Sequence, residues 1–338
     1  MRASSLGGDG EAGGHVASEG LLTAPVAALS GDGLVVVSCR ASVLRPSRFR
    51  PILRYVATCF DQRRNARVQR VVIGKGYYRG NGATTFDTMR QLWSDGFAED
   101  RLLTIPEPVA YLPELSLLLQ GRAPGKALYL GLDDPAAALK PVRLAGRWLA
   151  KLHAASVASA VVLQPEHDKE KLGTYRDVLA RVCPPFAPRI QSLTGRILSS
   201  LKTLPEDQVV CTHGDFQPKN IYIRGNQVTV IDFDRFALAH PARDLGHFIG
   251  QSMTMSYVRT GSFKEVRAWN SAFLDEYVRV ASTWALPALP FFIARTFLEV
   301  LYYKLFVRPV KDPSFLPAWL DECERWLDGV REFGSQTW

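Results

Sequence analysis

The stretch that decides the fold spans residues 210–248 and reads VCTHGDFQPKNIYIRGNQVTVIDFDRFALAHPARDLGHF. Its polar side chains lie at the ends of short apolar runs. Alternation and β-branched content predict three short strands, at residues 209–212, 221–223 and 228–231. A polar turn at residues 224–227, RGNQ, would join the last two strands into a hairpin.

One carboxamide and at least two carboxylates are expected to converge at one end of this hairpin. Asn220 precedes one strand and Asp232 follows the other, so pairing of the strands would bring them together, with Asp215 just upstream. Hard divalent cations prefer oxygen ligands, and Mg²⁺ typically takes one or two carboxylates besides substrate phosphates. The pattern favours phosphoryl transfer, in which one Asp accepts the hydroxyl proton while Asn and a second Asp hold the metal.

Three motifs in this order resemble those of the aminoglycoside phosphotransferase family, the small-molecule branch of the protein-kinase-like fold. They are HGDxxxxN at residues 213–220, IDFD at 231–234 and RDL at 243–245. The resemblance covers roughly residues 34–260. It implies an ATP-dependent enzyme that uses Mg²⁺ and phosphorylates a hydroxyl group of a small molecule.

The resemblance also implies roles for individual residues. Asp215 would be the catalytic base, and Asn220 and Asp232 would hold Mg²⁺. In the family, the residues that match His213 and Asp244 brace the catalytic loop.

A structural interpretation stands beside this one, because Asp and Asn are also common turn residues that bond to their own backbone. It applies most to Asp234, which suits a turn or a cap as well as a supporting place in the site.

The implied fold is α+β and two-lobed. A small N-terminal nucleotide-binding lobe, residues 21–120, would contain an antiparallel sheet and one helix. A larger, mainly helical C-terminal lobe, residues 121–338, would carry the catalytic and acceptor-binding groups. Residues 1–20 are rich in Gly, Ala and Ser without periodicity, and are expected to form a disordered tail.

The small lobe is predicted from apolar, β-branched runs, which lie at residues 34–39, 52–60, 68–73, 109–113 and 115–119. Helical spacing predicts a helix at residues 83–97, and five helical segments in the large lobe at residues 136–157, 169–204, 263–283, 287–307 and 314–333.

Lys75 ends the third predicted strand, where the Lys of kinases pairs with the α- and β-phosphates. The helix that follows lacks the Glu with which protein kinases pair this Lys. Asp87 is the only acid in its first half and is the candidate partner, although its shorter side chain leaves the pair open. The resemblance places the adenine-binding hinge near residues 118–122, with Gln120 and Gly121 as contacts.

Composition describes an ordinary globular protein, with 47% hydrophobic and 22% charged residues. We expect no membrane span, because no apolar run reaches the length of one, and we expect no secretory leader. Five scattered cysteines without zinc spacing favour a reducing cytoplasm.

Residues 40–102 hold thirteen Lys and Arg against five Asp and Glu, but no nucleic-acid motif accompanies them, so no nucleic-acid partner is expected.

Two other functions remain open at this stage. A nucleotide-binding pseudokinase would explain the missing Glu and the lack of glycines between the first two strands. A metal-dependent hydrolase could use His and Asp ligands for two metals; the candidates are His213, Asp215, Asp232, Asp234, His240 and His247. The acceptor is unresolved among antibiotics, sugars and amino alcohols, although the helices after Asp244 show no acidic cluster of the kind that a polycationic aminoglycoside needs. The sequence does not indicate the oligomeric state.

Overall fold

The computed structural model describes residues 19–31, 33–204, 209–281 and 283–329. Most of the tail predicted at residues 1–20 therefore lies outside the described residues. Its last two positions do not belong to a tail, because a helix that the sequence analysis missed begins at Glu19.

The strands are β1 (Leu34–Arg45), β2 (Ile52–Asp61), β3 (Ala66–Gly76), β4 (Leu103–Thr104), β5 (Pro108–Leu112), β6 (Leu117–Gly121), β7 (Lys126–Ala127), β8 (Val210–Thr212), β9 (Ile221–Arg224), β10 (Gln227–Val230) and β11 (Ala237–Ala239). The helices are α1 (Glu19–Leu29), α2 (Gly82–Leu92), α3 (Leu139–His153), α4 (Pro165–Val182), α5 (Ala187–Leu201), α6 (Ala242–Thr260), α7 (Arg267–Val280), α8 (Leu289–Tyr302) and α9 (Leu316–Leu327).

The chain divides into two compact units. Of the described residues, one unit contains those within 19–87 and 107–122, and the other contains those within 88–106 and 123–329. Residues 88–106, which the sequence analysis assigned to the small lobe, thus group with the larger unit. The larger unit is mainly helical and the smaller one is built on an antiparallel sheet, so the predicted α+β class is confirmed.

The sheet of the first unit has the strand order β1-β2-β3-β6-β5, and every neighbouring pair is antiparallel. Alternate residues of β2 point into its core, because side chains alternate between the faces of a strand. Leu53, Tyr55, Ala57 and Cys59 are accordingly buried, and Leu29 of α1 packs in the same cluster. The five predicted strands are all present, although β1 runs six residues further than predicted, to Arg45.

In the second unit, the predicted hairpin is confirmed. β9 and β10 pair in an antiparallel register that matches Ile221 with Val230 and Arg224 with Gln227. They lie at the centre of a four-stranded sheet, β4-β10-β9-β7. The first strand of the stretch 210–248 is β8, which does not join this sheet and pairs with β11.

Helix α6 was not predicted by the sequence analysis. Its residues 242–250 are buried without interruption, so no polar stripe marks the helical period. Small residues let α8 lie close against it: a Cβ added at Gly246 would stand 2.6 Å from the Cβ of Phe292. Asp244 and His247 are therefore carried on a helix that is enclosed by the protein.

One stretch within the described residues, Thr283–Val307, has the length and composition needed to cross a membrane. The expectation that no apolar run reaches that length was therefore wrong. In its most apolar window, 72% is buried inside the protein. This stretch contains α8, which packs against α4, α5, α6 and α9, so its apolarity serves the core of the second unit.

The close contact between α6 and α8 generates a stability prediction. Gly246→Ala is expected to lower the free energy of unfolding by about 1–3 kcal/mol, because the added methyl group overpacks the contact. Urea denaturation followed by circular dichroism would measure the change. Gly195→Ala in α5 is the control, since its new Cβ would meet nothing within 4 Å. That variant should be unchanged or more stable by up to about 1 kcal/mol, and equal destabilisation by both changes would contradict the prediction.

Candidate active site

The loop after β8 carries the HGD motif, and its path depends on a glycine. Gly214 has φ +77°, and a Cβ at this position would lie 2.1 Å from the carbonyl oxygen of Arg235. Any larger residue would be strained by its backbone angle and would collide with a neighbouring main chain. The glycine therefore lets the loop between His213 and Asp215 lie against the segment that follows Asp232.

Asp244, in the first turn of α6, holds this loop through its carboxylate. Its Oδ2 accepts the backbone N–H of His213 at 2.6 Å, and its Oδ1 accepts that of Gly214 at 2.9 Å. The side chain is fully buried. Although burial acts to raise the pKa of Asp244, the hydrogen bond and charge of His153 hold that pKa below its usual range. An ionised carboxylate thus fixes two consecutive amides of the loop.

The side chains of His153 and Tyr277 support Asp244 in turn. His153 Nε2 lies 3.3 Å from Asp244 Oδ2, and His153 Nδ1 lies 2.8 Å from the hydroxyl of Tyr277. Burial, with the nearby Asp244 charge, raises the pKa of Tyr277, so its hydroxyl keeps its proton and pairs with Nδ1 of His153. Nε2 then carries a proton and donates to Asp244. The sequence analysis missed this pair, because His153 ends an apolar helix and Tyr277 lies among many core aromatics.

His213 connects the loop to the end of the hairpin. Its Nδ1 accepts the backbone N–H of Asp215 at 3.3 Å, which leaves Nε2 to donate to the carbonyl of Ile231 at 3.0 Å. The ring is buried and packs 4.9 Å from the ring of Phe233. Both ring nitrogens of His213 therefore serve the loop.

Asp215 is held by three side chains and remains within reach of solvent. Its Oδ1 accepts bonds from Gln217 Nε2 at 2.8 Å and His247 Nε2 at 3.0 Å, and its Oδ2 accepts one from Asn220 Nδ2 at 3.0 Å. The side chain is 21% exposed. Burial acts to raise the pKa of Asp215, but the bond from His247 and nearby positive charge lower it overall. The site thus presents an oriented, ionised carboxylate.

Asn220 and Asp232 meet at the end of the hairpin, as their strand positions predict. The backbone N–H of Ile231 donates to the carbonyl of Asn220 at 2.9 Å. Asp232 follows with φ +78°, a left-handed conformation that ends the strand and begins the short turn Phe233–Arg235. Asp234 lies half-buried within that turn.

The chemistry of this pair suits Mg²⁺. Both hydrogen bonds donated by the Asn220 amide nitrogen go to Asp215, which leaves its carbonyl oxygen as the atom for a cation. Asp232 adds a carboxylate, and both are hard oxygen donors. Among the described residues, no group of three or more His, Cys, Asp or Glu side chains is arranged to hold a metal. Water and substrate phosphates would complete such a coordination shell, as is usual for Mg²⁺.

The residues predicted to bind nucleotide lie in the first unit. Lys75 on β3 stands opposite Leu118 on β6, and its Nζ is 5.3 Å from the ring centre of Tyr77. Asp87 is exposed on α2, so its pairing with Lys75 stays a prediction. Gln120 is buried, and the amide of Gly121 donates to the carbonyl of Glu107 at 2.8 Å. The amide of Gly121 is thus already used within the first unit.

A network of charged side chains that the sequence analysis did not anticipate lies next to Asp215. Asp168 on α4 accepts bonds from Arg243 on α6 and, at 2.7 Å, from Nε of Arg295 on α8. Glu299 on α8 accepts bonds from Arg235 at 2.9 Å and Arg295 at 3.1 Å.

Both acids of this network are ionised. Burial acts to raise the pKa of Asp168, but the charges of Arg295 and Arg243 lower it. The pKa of Glu299 lies well below its usual range, because Arg295, His247 and Arg235 together outweigh the effect of burial. Nδ1 of His247 lies 3.9 Å from Glu299, so this histidine connects the network to Asp215.

Comparison with known proteins gives one family match and a set of similar structures. The model of the phosphotransferase enzyme family matches residues 78–289. The match contains the whole HGD loop and the hairpin, and it begins after Lys75. A search of curated protein sequences finds no match.

Three solved structures show the same fold. A choline/ethanolamine kinase family protein from Mesorhizobium loti has a TM-score of 0.57 and 15% identity, over 86% of this chain and 88% of the other. A spectinomycin phosphotransferase solved with ADP and spectinomycin has a TM-score of 0.55 and 14% identity, over 87% and 90%. An amicoumacin kinase solved with AMP-PNP, Ca²⁺ and its ligand has a TM-score of 0.54 and 15% identity, over 93% and 94%. The kinase-like fold is thereby confirmed.

His240, which follows β11 just ahead of α6, generates a prediction about pH. Its buried ring packs 4.9 Å from Trp284 and 5.7 Å from Phe292. Burial, then the charges of Arg243 and His153, lower the pKa of His240 to about 4. In the unfolded chain, the ring of His240 takes up a proton below about pH 6.5. In the folded protein, it stays unprotonated down to about pH 4. The free energy of unfolding should therefore fall by about 3 kcal/mol as the pH drops through this window.

Denaturant unfolding between about pH 5 and 6.5 would measure this slope, since carboxylates with lowered pKa values lose their stabilising effect mainly below about pH 5. His240→Gln should flatten it. His167→Gln, at an exposed histidine of α4, is the control and should retain it. An unchanged slope in the His240 variant would show that another group is responsible.

Proposed function

Because the chain belongs to the phosphotransferase enzyme family, we propose that it transfers the γ-phosphoryl group of ATP to a hydroxyl group of a small molecule. The observation that carries this proposal is the geometry around Asp215. Its ionised carboxylate is fixed by Gln217, Asn220 and His247, and it remains partly exposed. Two hard oxygen donors for a cation, on Asn220 and Asp232, lie beside it.

In the proposed reaction, the acceptor hydroxyl donates a hydrogen bond to Asp215, which aims its oxygen at the γ-phosphorus. The oxygen–phosphorus bond forms as the bond to the bridging oxygen of ADP breaks, and the hydroxyl proton passes to Asp215. A carboxylate with a lowered pKa is a weak base. It suits a loose transition state in which the hydroxyl loses its proton late and orientation supplies most of the rate.

Mg²⁺, when bound, would neutralise charge on the transferring phosphates, and Asn220 and Asp232 would hold it. Asn220 also donates to the carboxylate of Asp215, so one side chain would set the position of both the cation and the base. Any displacement of Asn220 should therefore disturb two parts of the reaction together.

We assign the nucleotide contacts to the first unit. Lys75 would steady the α- and β-phosphates, and the backbone at Gln120 and Gly121 would face the adenine. The family match does not reach Lys75, so its role is supported by its place at the end of β3, beside the strand that carries Gln120. The nucleotides named in two similar structures, ADP and AMP-PNP, support ATP as the donor.

We further propose a cytoplasmic location. All five cysteines are free thiols, and Cys59, Cys211 and Cys323 are buried. Free cysteines are typical of reducing compartments.

Replacing Asp215 tests the proposed chemistry. Release of ADP from Mg·ATP would be measured over hydroxyl compounds that include aminoglycosides, macrolides, amino alcohols, homoserine and sugars. Asp215→Asn and Asp215→Ala are expected to lower kcat by about 10²–10⁴-fold, because the base and its orienting effect are lost. Asp177→Asn, at an exposed carboxylate of α4, is the control and should retain full turnover.

The thermal shift caused by Mg·ATP would be measured on the same proteins. A retained shift would show that the Asp215 variants are folded and still bind nucleotide. Full turnover by Asp215→Ala would contradict the proposed mechanism. A protein that binds nucleotide and releases no ADP with any acceptor, under conditions in which a known kinase of this fold is active, would favour the pseudokinase.

A further inference from the structure

The charged network beside Asp215 buries its acids and exposes one of its cations. Its acids are covered, with side chains 4% exposed at Asp168 and 16% at Glu299. Its most exposed member is a cation, Arg235, whose side chain is 56% exposed. Solvent, or a ligand, therefore meets positive charge first on this side of the catalytic carboxylate.

Lys171 adds a second cation to the same face. It lies on α4, three residues after Asp168 and four before Tyr175, so these side chains share one side of the helix. Tyr175 packs 4.7 Å from the ring of Tyr302 on α8, and that contact fixes this side against the helix that carries Glu299. Lys171 is exposed, and among the described residues it forms no hydrogen bond or ion pair.

The electrostatic surroundings of Lys171 agree with this placement. Partial burial lowers its pKa, and the positive charges of Arg295, Arg243 and Arg235 lower it further, while Glu299 acts in the opposite direction. Arg235 acts in turn on Asp215. Lys171 is thus close enough to respond to the guanidinium groups of the network, and the two acids in that network already have other partners. An anion would satisfy this uncompensated positive charge.

A third exposed cation directly precedes Asn220 in the sequence. Lys219, directly before Asn220, is exposed, and its charge acts on Lys304 in the turn after α8. A cationic acceptor that approaches Asp215 would meet like charges at Lys171, Arg235 and Lys219, which disfavours its binding.

We propose that the acceptor is a hydroxyl compound that carries an anionic group, a carboxylate or a phosphate, which Lys171 and Arg235 bind while Asp215 receives the hydroxyl. This inference rests on the proposed function and adds the substrate class. Lys171 would supply a charge-assisted hydrogen bond without giving up a hydrogen bond or ion pair to another described residue. Arg235 would share its guanidinium between Glu299 and the ligand.

The test compares compounds that differ in charge on one scaffold. One series is a neutral sugar, its amino sugar, its uronic acid and its phosphate ester, and a second is glycerol, glycerate and glycerol phosphate. ADP release would give kcat and KM for each compound, and calorimetry on the protein with Mg·ADP would give affinities that need no turnover. The acid and the phosphate ester distinguish the two kinds of anion.

The expected result is preference for one anionic member of a series over its neutral member, by about 10-fold or more in kcat/KM or in affinity. Lys171→Met should lower kcat/KM or affinity for the anionic compound by about 10- to 100-fold, mostly through KM. For the neutral compound the same values should fall by less than about 2-fold. Lys171→Arg should restore most of the loss. Lys169→Met, two residues away at an exposed position on the same helix, is the matched control and should change neither value.

Equal or tighter binding of the neutral or amino members would overturn the inference, as would an equal loss for all compounds in Lys171→Met. These results are distinct from failure of the proposed function. Turnover that prefers neutral or cationic acceptors and still requires Asp215 would leave the kinase in place with a different substrate class. Anion binding that depends on Lys171, without ADP release from any compound, would support the anion site and count against the phosphotransferase.

Discussion

The carboxylate of Asp244 is the constraint on which the HGD loop, residues 213–215, depends. A buried, ionised carboxylate is costly unless its oxygens are fully bonded. Here it accepts the amides of His213 and Gly214 and a bond from His153. The loop conformation that satisfies the charge is the same one that turns the carboxylate of Asp215 toward solvent. Stability of α6 and geometry of the site are therefore parts of one arrangement.

The same principle operates next to Asp215 with charges of the opposite sign. Asp168 and Glu299 would be unfavourable in the protein interior without Arg243, Arg295 and Arg235. Once these pairs are formed, the helices α4, α6 and α8 are held together at the face that adjoins the carboxylate of Asp215. This face also keeps an excess of positive charge, because one acid, Asp168, is shared between two arginines.

The sequence predicted the parts of the site that are close together along the chain. The order of the motifs identified the HGD loop, and the period of the strands located Asn220 and Asp232 at the end of one hairpin. The charged network escaped prediction, because its members are up to 131 residues apart in the sequence and resemble ordinary surface charges. Helix α6 escaped for the opposite reason: burial on every side removes the polar stripe that reveals a helix. The partner of β8 was also hidden, since β11 has only three residues, Ala237–Ala239.

The sharing of Asp168 between Arg243 and Arg295 has a consequence for how such an enzyme could diversify. The rigid part of the proposed acceptor face is buried, and most substitutions there would leave an unpaired charge in the interior. The long side chains that project from it, at Lys171 and Arg235, are exposed. Lineages could exchange these two positions and acquire new substrates one step at a time. The residues around Asp215 that are proposed to transfer the phosphoryl group would stay unchanged. Natural selection would act on the exposed side chains at positions 171 and 235.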